Sequence, residues 1–297
     1  MHYITNTVYQ AIFRIKIQNM INISNLSFRY GKKEVLTNIC MKLETGKIYG
    51  LLGENGVGKT TLLKIICGLQ EPSGGSCAVF NENPFRRKPS FLNRIYYLPE
   101  ETEYIQNDFT IKYFAKINAP FYPKFDNIKL DTILKEFDVD SDRKLNKLSY
   151  GQTKKAAIAF AIATNVDLLL LDEPSNGLDI PSKTIFRKIM AEYCLDTTCT
   201  IISTHQVRDL ENIIDPIIIL DNRAVLLNES LERISERLYF GIENTLPYNT
   251  LYSEPTLGGY LCVSENNGQG ESRVNLEALF NTTMQHKSKI KELFKTA

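Results

Sequence analysis

The chain has 297 residues, of which 35 are lysine or arginine and 34 are aspartate or glutamate. This balance argues against a protein that grips nucleic acid or an anionic membrane through its overall charge. Hydrophobic residues make up 43% of the chain, enough for a sizeable core, yet no run approaches the roughly 18 apolar residues that span a bilayer.

Two features bear on the compartment. The first twenty residues lack the basic start, apolar stretch and small-residue cleavage site of a secretion signal. The cysteines form no CxxC pair, and no histidine is spaced with them as a zinc site requires. We expect reduced, mostly buried thiols in a cytosolic protein, so another chain must cross any membrane that this one serves. The cysteines are Cys40, Cys67, Cys77, Cys194, Cys199 and Cys262.

The N-terminal half reads as strands separated by glycine-rich turns. Residues 1–19 are predicted to be an appendage, either because translation begins at Met20 or because they form an ordered amphipathic extension. A strand-like run follows from Met20, then a turn at Thr45-Gly46. The further predicted elements are a strand over Ile48–Leu52, a helix over Lys59–Cys67, and strands over Ala78–Phe80 and Ile95–Leu98.

The middle of the chain changes character. About 110–162 reads as helices interrupted by Pro120 and Pro123, with helical spacing of apolar residues over Lys129–Phe137. Strand patterns return over Asp167–Asp172 and Thr200–Ser203, with a helix over Ser182–Tyr193 between them. The alternation predicts an α/β sheet with a helical insertion.

The last sixty residues carry no assignable chemistry. The stretch Gly241–Gly270 is rich in Asn, Gly, Pro and Ser and is predicted to be loop, and a final helix is predicted over Leu276–Phe294.

One glycine-rich segment fits the pattern G-x-x-x-x-G-K-[ST] and lies between a predicted strand and a predicted helix. Glycines let consecutive backbone N–H groups face one concavity, and the helix start adds positive potential. Lys59 would contact the β- and γ-phosphates, and the Thr60 hydroxyl would bind Mg²⁺. The alternative is a glycine-rich turn without a nucleotide. The segment is Gly53, Glu54, Asn55, Gly56, Val57, Gly58, Lys59, Thr60 and Thr61.

Two carboxylates end the apolar strand that runs to Asp172. Ligands bind at this edge of open α/β sheets, so Asp172 is placed to hold Mg²⁺, directly or through water, and Glu173 to orient or deprotonate the attacking water. His205 follows the next strand and could bond a γ-phosphate or the catalytic carboxylate. Taken singly, these residues could equally be solvated acids and an ordinary loop histidine.

The pentapeptide 148–152 precedes an alanine-rich stretch. Ser149 is predicted to cap the helix over Thr153–Ala163, and Gly151 permits close backbone approach, so the helix start is a second potential anion site. Alone, the pentapeptide would indicate only an ordinary capped helix.

Together these motifs resemble the nucleotide-binding subunit of the ATP-binding cassette family, in order and spacing, over about residues 20–235. The resemblance implies a P-loop NTPase core sheet with an antiparallel β subdomain, a helical signature insertion at about 108–165, and a C-terminal extension over 236–297. It implies ATP and Mg²⁺ as cofactors, a homodimer or heterodimer with another such ATPase, and a separate transmembrane permease that holds the chain on the cytoplasmic face of the membrane. No nucleic-acid partner is expected.

The resemblance also assigns roles to residues. Tyr30 would stack on adenine, Glu173 would be the catalytic base, and His205 would sense the γ-phosphate. Thr60 and Asp172 would face Mg²⁺, and the Glu100 carboxylate would meet Mg²⁺ or the catalytic water. The family clamps each ATP between one subunit's phosphate loop and the other subunit's signature, so Ser149, Gly151 and Gln152 are expected to serve the partner's site. Asp179 would contact the partner subunit at the nucleotide site.

The chain departs from the family at two positions. Tyr150 replaces the first of the two usual signature glycines, and Glu100 stands where the family usually has glutamine. Glu100, together with Tyr122-Pro123, is similar to subfamilies paired with exporter-type permeases, which favours export of a cargo that the sequence does not identify. The competing interpretations are a non-transport relative that acts on ribosomes or DNA, and an inactive binding module. The first generally has two cassettes or a long coiled-coil insertion, which this chain lacks, and the intact Lys59, Asp172, Glu173 and His205 argue against the second.

Overall fold

The computed structural model describes residues 19–102, 105, 108–194 and 197–295. The predicted appendage therefore lies outside the described residues, apart from Asn19, which begins the first strand. Twelve strands are described: β1 Asn19–Tyr30, β2 Lys33–Glu44, β3 Ile48–Leu52, β4 Gly74–Val79, β5 Ile95–Leu98, β6 Leu168–Asp172, β7 Cys199–Thr204, β8 Ile217–Asp221, β9 Ala224–Glu229, β10 Leu238–Glu243, β11 Thr250–Thr256 and β12 Gly259–Glu265.

Nine α-helices are described in the same residues, and short 3-10 turns lie at Pro84–Arg86, Ala119–Phe121, Leu145–Lys147 and Val207–Leu210. No helix among them is long and apolar enough to cross a bilayer. The helices are α1 Lys59–Ile66, α2 Pro89–Leu92, α3 Ile111–Asn118, α4 Asn127–Glu136, α5 Tyr150–Ala163, α6 Ile180–Tyr193, α7 Leu231–Arg237, α8 Leu276–Gln285 and α9 Lys287–Leu293.

The central sheet has six strands in the order β5-β6-β7-β3-β8-β9, all parallel except for β9. Its strands β6 and β7 are buried along their whole length, as continuous apolar runs predict for parallel strands covered on both faces. Because β3, β6 and β7 are neighbours, the segments that follow their carboxyl ends meet at one edge of the sheet. The α/β class predicted from the sequence is confirmed.

A second sheet, in the order β2-β1-β4, is antiparallel. Its strand β2 alternates buried and exposed residues after Leu36, which is the pattern of a strand with one wet face. The buried face packs with α1 and the central sheet in one hydrophobic cluster that includes Ile21, Leu36 and Leu62. The sequence analysis did not single out β2 as a separate strand.

The stretch from 110 to 163 is helical, as predicted, and Pro120 lies in the 3-10 turn that follows α3. Phe160 of α5 packs against Phe114, Tyr122 and Phe125 at ring-centroid distances of 5.2–6.2 Å. These aromatic contacts hold α5 against α3 and against the segment that connects α3 to α4. Asp167, which precedes β6, joins them to the sheet through contacts with Lys124 and Arg94.

The C-terminal part departs from the sequence prediction in two ways. The stretch predicted to be loop contains a three-stranded antiparallel sheet, in the order β10-β12-β11. Its strands are short and half-exposed, with Gly241 and Pro255 inside them, so composition concealed the pattern. The single predicted helix is two helices, α8 and α9, separated at His286, whose φ and ψ are −123° and 46°. Both helices contribute to the hydrophobic cluster of the central sheet.

Candidate functional site

The glycine-rich loop connects β3 to α1 and encloses the side chain of Lys59. The Lys59 ammonium donates to the carbonyl oxygens of Gly53 at 2.8 Å and Glu54 at 3.2 Å. Gly58, which precedes α1, has φ of +114°, and a Cβ there would lie 2.9 Å from the Leu36 side chain. Glycine is therefore required at this position, and the loop presents its backbone and the start of α1 to the same concavity.

The acidic pair lies at the carboxyl end of β6, at the edge of the central sheet, as predicted. Asp172 ends β6 and is almost completely buried; its carboxylate accepts hydrogen bonds from the hydroxyls of Ser203 and Tyr97. Glu173 has a positive φ of 46°, a conformation that costs free energy in a residue other than glycine. Its backbone N–H is held at 3.1 Å from both the carbonyl and the hydroxyl oxygen of Ser203. The two carboxylates therefore have fixed and different surroundings.

The Glu173 carboxylate lies between two basic groups. Oε1 is 3.2 Å from the Lys59 ammonium, and Oε2 is 3.0 Å from Nδ1 of His205. Neither contact is aligned as a hydrogen bond, and Oε1 is buried without an aligned partner. A buried carboxylate oxygen with unfilled hydrogen-bonding capacity is placed to accept a proton from water. The sequence analysis considered a γ-phosphate and the catalytic carboxylate as partners of His205. In the structure His205 contacts the carboxylate.

A cleft of about 630 Å³ joins these groups, and its volume is in the range of small-molecule sites. Tyr30 is 47% exposed and lies at one side of this cleft, with its ring edge-on to Phe28. Predicted site residues that line the cleft are Tyr30, Asn55, Gly56, Val57, Gly58, Lys59, Thr60, Thr61, Glu100, Glu173 and His205.

Other predicted site residues lie away from the lining of this cleft. Gly53 and Glu54 contribute the carbonyls that hold Lys59, and Asp172 lies behind Glu173. Ser149 caps α5, where its hydroxyl accepts from the Gln152 N–H and the Gln152 side chain accepts from the Ser149 N–H. The predicted cap is therefore confirmed. Gly151 follows within the first turn of α5, and Asp179 caps α6.

The structure also adds residues that the sequence analysis did not select. Asn176 lines the cleft and donates to Oε1 of Glu100 at 2.7 Å. Asn222 and Arg223 enter from the turn between β8 and β9, and both have positive φ. No local motif marks this turn, because its position beside the glycine-rich loop depends on β8 pairing with β3. Lys33, Glu34 and Val35 enter the cleft from β2 in the same way.

The residues near the acidic pair suit a magnesium ion that also binds phosphate and water. Among the described residues, no group of three or more His, Cys, Asp or Glu side chains is placed to hold a metal. Mg²⁺ is usually bound by one or two carboxylates plus substrate phosphates, so a complete protein cage is not needed. Thr60 and Glu100 offer hard oxygen ligands inside the cleft, and Asp172 offers a carboxylate just behind it.

A second concavity, of about 700 Å³, lies between the sheet and the helical stretch. We call it the insert groove, and among the described residues that line it Arg87 carries the one charged side chain. Leu69 and Phe121 on its rim are 46% and 67% exposed. Glu100 lines the first cleft and not the insert groove, whereas Tyr97, three residues earlier in the chain, lines the insert groove. The groove is lined by Cys67, Leu69, Arg87, Pro89, Leu92, Asn93, Ile95, Tyr97, Asn118, Pro120, Phe121, Tyr122 and Pro123.

Comparison with known proteins places these features in one family. The family model described as "ABC transporter" matches residues 36–176. The chain is 31% identical over 219 residues to the ABC transporter ATP-binding protein YdbJ of Bacillus subtilis, covering 72% of this chain and 70% of that protein. It is 29% identical over 224 residues to the bacitracin transport ATP-binding protein BcrA of Bacillus licheniformis, covering 74% and 73%. Zinc import ATP-binding proteins are also among the relatives.

A solved structure titled as the ATP-binding subunit of an ABC transporter superimposes with a TM-score of 0.65 at 24% identity. The superposition covers 72% of this chain and 91% of that one. At this level of identity the likeness concerns the fold alone.

Proposed function

This chain belongs to the family of ABC transporter ATP-binding proteins and hydrolyses ATP, and we propose that the hydrolysis drives export through a separate membrane permease. The observation that carries the hydrolytic step of this proposal is the Glu173 carboxylate, which lies between Lys59 and His205 on the wall of the cleft. In this arrangement each of the three residues has a distinct task.

On binding, Lys59 would exchange its contacts with the loop carbonyls and with Glu173 for the β- and γ-phosphates of ATP. Charge-assisted contacts between a lysine and phosphate are strong. The Glu173 carboxylate, freed from Lys59, would orient water and accept its proton. His205 would hold the other carboxylate oxygen in place. Thr60, Asp172 and Glu100 are the residues that would hold Mg²⁺, which would stabilise the negative charge that develops during phosphoryl transfer.

We further propose that two subunits form the working unit. The cleft of one chain contains neither Ser149, Gly151, Gln152 nor Asp179, although the family's motif assigns these residues to ATP. A second subunit would bring its own α5 N-terminus and its own Asp179 against the open side of the cleft. ATP would then favour the closed pair, and hydrolysis would release it.

The insert groove is the proposed docking site for a helix of the permease. Its rim of exposed apolar side chains surrounds a lining with one positive charge, Arg87, so it suits an amphipathic segment that carries a carboxylate. Phe121→Asp should abolish capture of the permease from detergent-solubilised membranes, with ATP binding retained. Leu257→Asp, at a fully exposed position outside the groove, is the matched control. Equal capture by both variants would place the docking site elsewhere.

Export is supported by Glu100 and Tyr122-Pro123, which resemble exporter-type subfamilies, and by the similarity to a bacitracin transport protein. Inside-out membrane vesicles that hold the complex should accumulate a compound from a cell extract when ATP is added. Vesicles with the Glu173→Gln variant should not accumulate it. Uptake confined to right-side-out vesicles loaded with ATP would indicate import instead.

A further inference from the structure

Lys154 is a lysine that the predicted chemistry does not use. It lies in the second turn of α5, its side chain is completely buried, and its ammonium donates to the backbone carbonyl of Glu100 at 2.6 Å. Burying an ammonium costs several kcal/mol before its contacts are counted, about the largest single penalty a core position can carry. A methionine would fill a similar volume without this cost, so the charge and its hydrogen bond call for an explanation.

The electrostatic surroundings of Lys154 are those of the catalytic edge. Burial lowers the pKa of this lysine to about 8, and the nearby carboxylates of Glu100, Asp172 and Glu173 act in the opposite direction. The ammonium is therefore stabilised by two acids that line the cleft, Glu100 and Glu173, and by the buried Asp172. Because the interior has a low dielectric constant, its hydrogen bond to the Glu100 carbonyl is stronger than an equivalent bond at the surface.

Glu100 is held from its other end as well. Its carboxylate accepts a hydrogen bond from Asn176 at 2.7 Å, and its side chain lines the cleft. Asn176 belongs to the segment that links the end of β6 to Asp179. Glu100 thus connects the cleft, the segment before α6 and, through Lys154, the helix α5.

The first turn of α5 carries Ser149, five residues before Lys154. At a rise of about 1.5 Å per residue, this places the two residues about 8 Å apart along the helix axis. A helix of 14 residues moves as a rigid rod over such a distance. A displacement of Glu100 would therefore reach the Ser149 end of α5 through the Lys154 hydrogen bond.

We propose that Lys154 is a positioning residue that couples Glu100 in one ATP site to the Ser149 end of α5, which serves the ATP site of the partner subunit. This inference rests on the proposed two-subunit function. When Glu100 takes its place beside a bound nucleotide, the buried ammonium draws α5 with it and orients Ser149 and Gln152 toward the second nucleotide. The outcome is a closed pair that forms only when Glu100 has engaged.

The test separates nucleotide binding by one subunit from closure of the pair. In the full chain carrying Glu173→Gln, Lys154→Met should leave the affinity for a fluorescent ATP analogue unchanged within about twofold, when measured at protein concentrations too low for dimers. The ATP concentration that half-dimerises the protein in analytical ultracentrifugation should rise about tenfold or more, since tenfold corresponds to only ~1.4 kcal/mol. A merely structural role would weaken both quantities together.

Companion variants define the outcomes. Lys154→Gln is one bond shorter, cannot reach the Glu100 carbonyl, and should show the same shift if the methionine variant folds poorly. Lys154→Arg keeps the charge and the donor and should restore dimerisation. Lys135→Met, at an exposed position on α4, is the matched control and should change neither quantity.

Three results would overturn the inference. The first is an unchanged dimerisation midpoint in both neutral variants. The second is a parallel loss of affinity and dimerisation, which would mean that Lys154 serves the fold alone. The third is the absence of any ATP-driven dimer when Lys154 is intact; this would reject the two-subunit arrangement itself and the coupling with it. Comparison with the Lys154-intact protein distinguishes the third case from the other two.

Discussion

The ring of Tyr150 packs directly against Gly177: a Cβ atom at position 177 would lie 2.3 Å from Cε1 of the tyrosine. Tyr150 is the residue that departs from the usual glycine of the signature, and Gly177 belongs to the segment between Glu173 and Asp179. The tyrosine is half-exposed, and burial together with Glu100 and Glu101 raises the pKa of its phenol. The ring of Tyr150 therefore occupies space that a side chain at position 177 would need. Substitutions at the two positions should be energetically coupled.

We predict that Gly177→Ala destabilises the fold by about 2–5 kcal/mol, since overpacking costs ~1–3 kcal/mol and a left-handed backbone ~1–2 kcal/mol. In a chain that also carries Tyr150→Ala, the clash is removed, and Gly177→Ala should then cost only about 1–2 kcal/mol, which reflects its φ of +81°. Urea unfolding of the four chains in this cycle measures both values. An equal cost in the two backgrounds would show that the ring does not constrain residue 177.

The contact between Asp167 and its two basic partners predicts a pH-dependent stability. Burial raises the pKa of the Asp167 carboxyl. The hydrogen bonds and charges of Lys124 and Arg94 together lower it by more, so the net shift is downward. A lowered pKa means that the ionised carboxylate stabilises the fold above the unfolded-state pKa of about 3.9, and that this contribution is lost as the pH falls through the folded-state pKa.

Asp167→Asn should therefore lower the free energy of unfolding at pH 7 by about 0.5–1 kcal/mol, because its partners are largely exposed. The deficit should shrink toward zero in urea titrations at successively lower pH, below about pH 4. Asp142→Asn removes a carboxylate from a fully exposed ion pair with Lys112 and is the matched control. A deficit that stays constant from pH 7 to pH 3 would contradict the assignment.

Lys59 should dominate nucleotide affinity. Lys59 is 5% exposed, and the loop carbonyls hold its ammonium at the position where phosphate is expected. Lys59→Ala should weaken binding of a fluorescent ATP analogue about 100-fold or more, as expected for loss of a buried charge-assisted contact. Lys64→Ala, on the same helix and half-buried, should bind as the unaltered chain does. Unchanged affinity in the Lys59 variant would discredit the loop assignment.

The sequence predicted the structure best where a backbone conformation, a buried face or a helix cap admits only a few residue types. The strand Ile48–Leu52, the glycine-rich loop, and the capped helix after Ser149 were predicted from local pattern and are present in the structure. The same holds for the acids that end the buried strand β6. In each case a backbone conformation, a buried face or a cap determines the residue types in a short window of sequence.

The sequence was least informative where position depends on distant pairing. Lys154 reads as an ordinary charged residue in an alanine-rich helix, because only the packing of α5 against the segment carrying Glu100 makes it buried. The strands β10 to β12 were missed for a related reason. Their half-exposed faces hold Gly, Pro and Ser residues, and their burial comes from packing against the rest of the core through residues such as Phe240 and Val263.

The central claim is that Glu173 accepts the proton of the attacking water in a cleft that binds ATP. It is tested most directly by measuring ATP hydrolysis and ATP binding of Glu173→Gln beside those of Glu136→Gln, a variant at a half-buried position on α4 outside the cleft. The account predicts that the Glu173 variant keeps its affinity for ATP and accumulates as an ATP-bound dimer. Its rate of ATP hydrolysis should fall at least about 100-fold. Hydrolysis by the Glu173 variant at the rate of the Glu136 variant would contradict it.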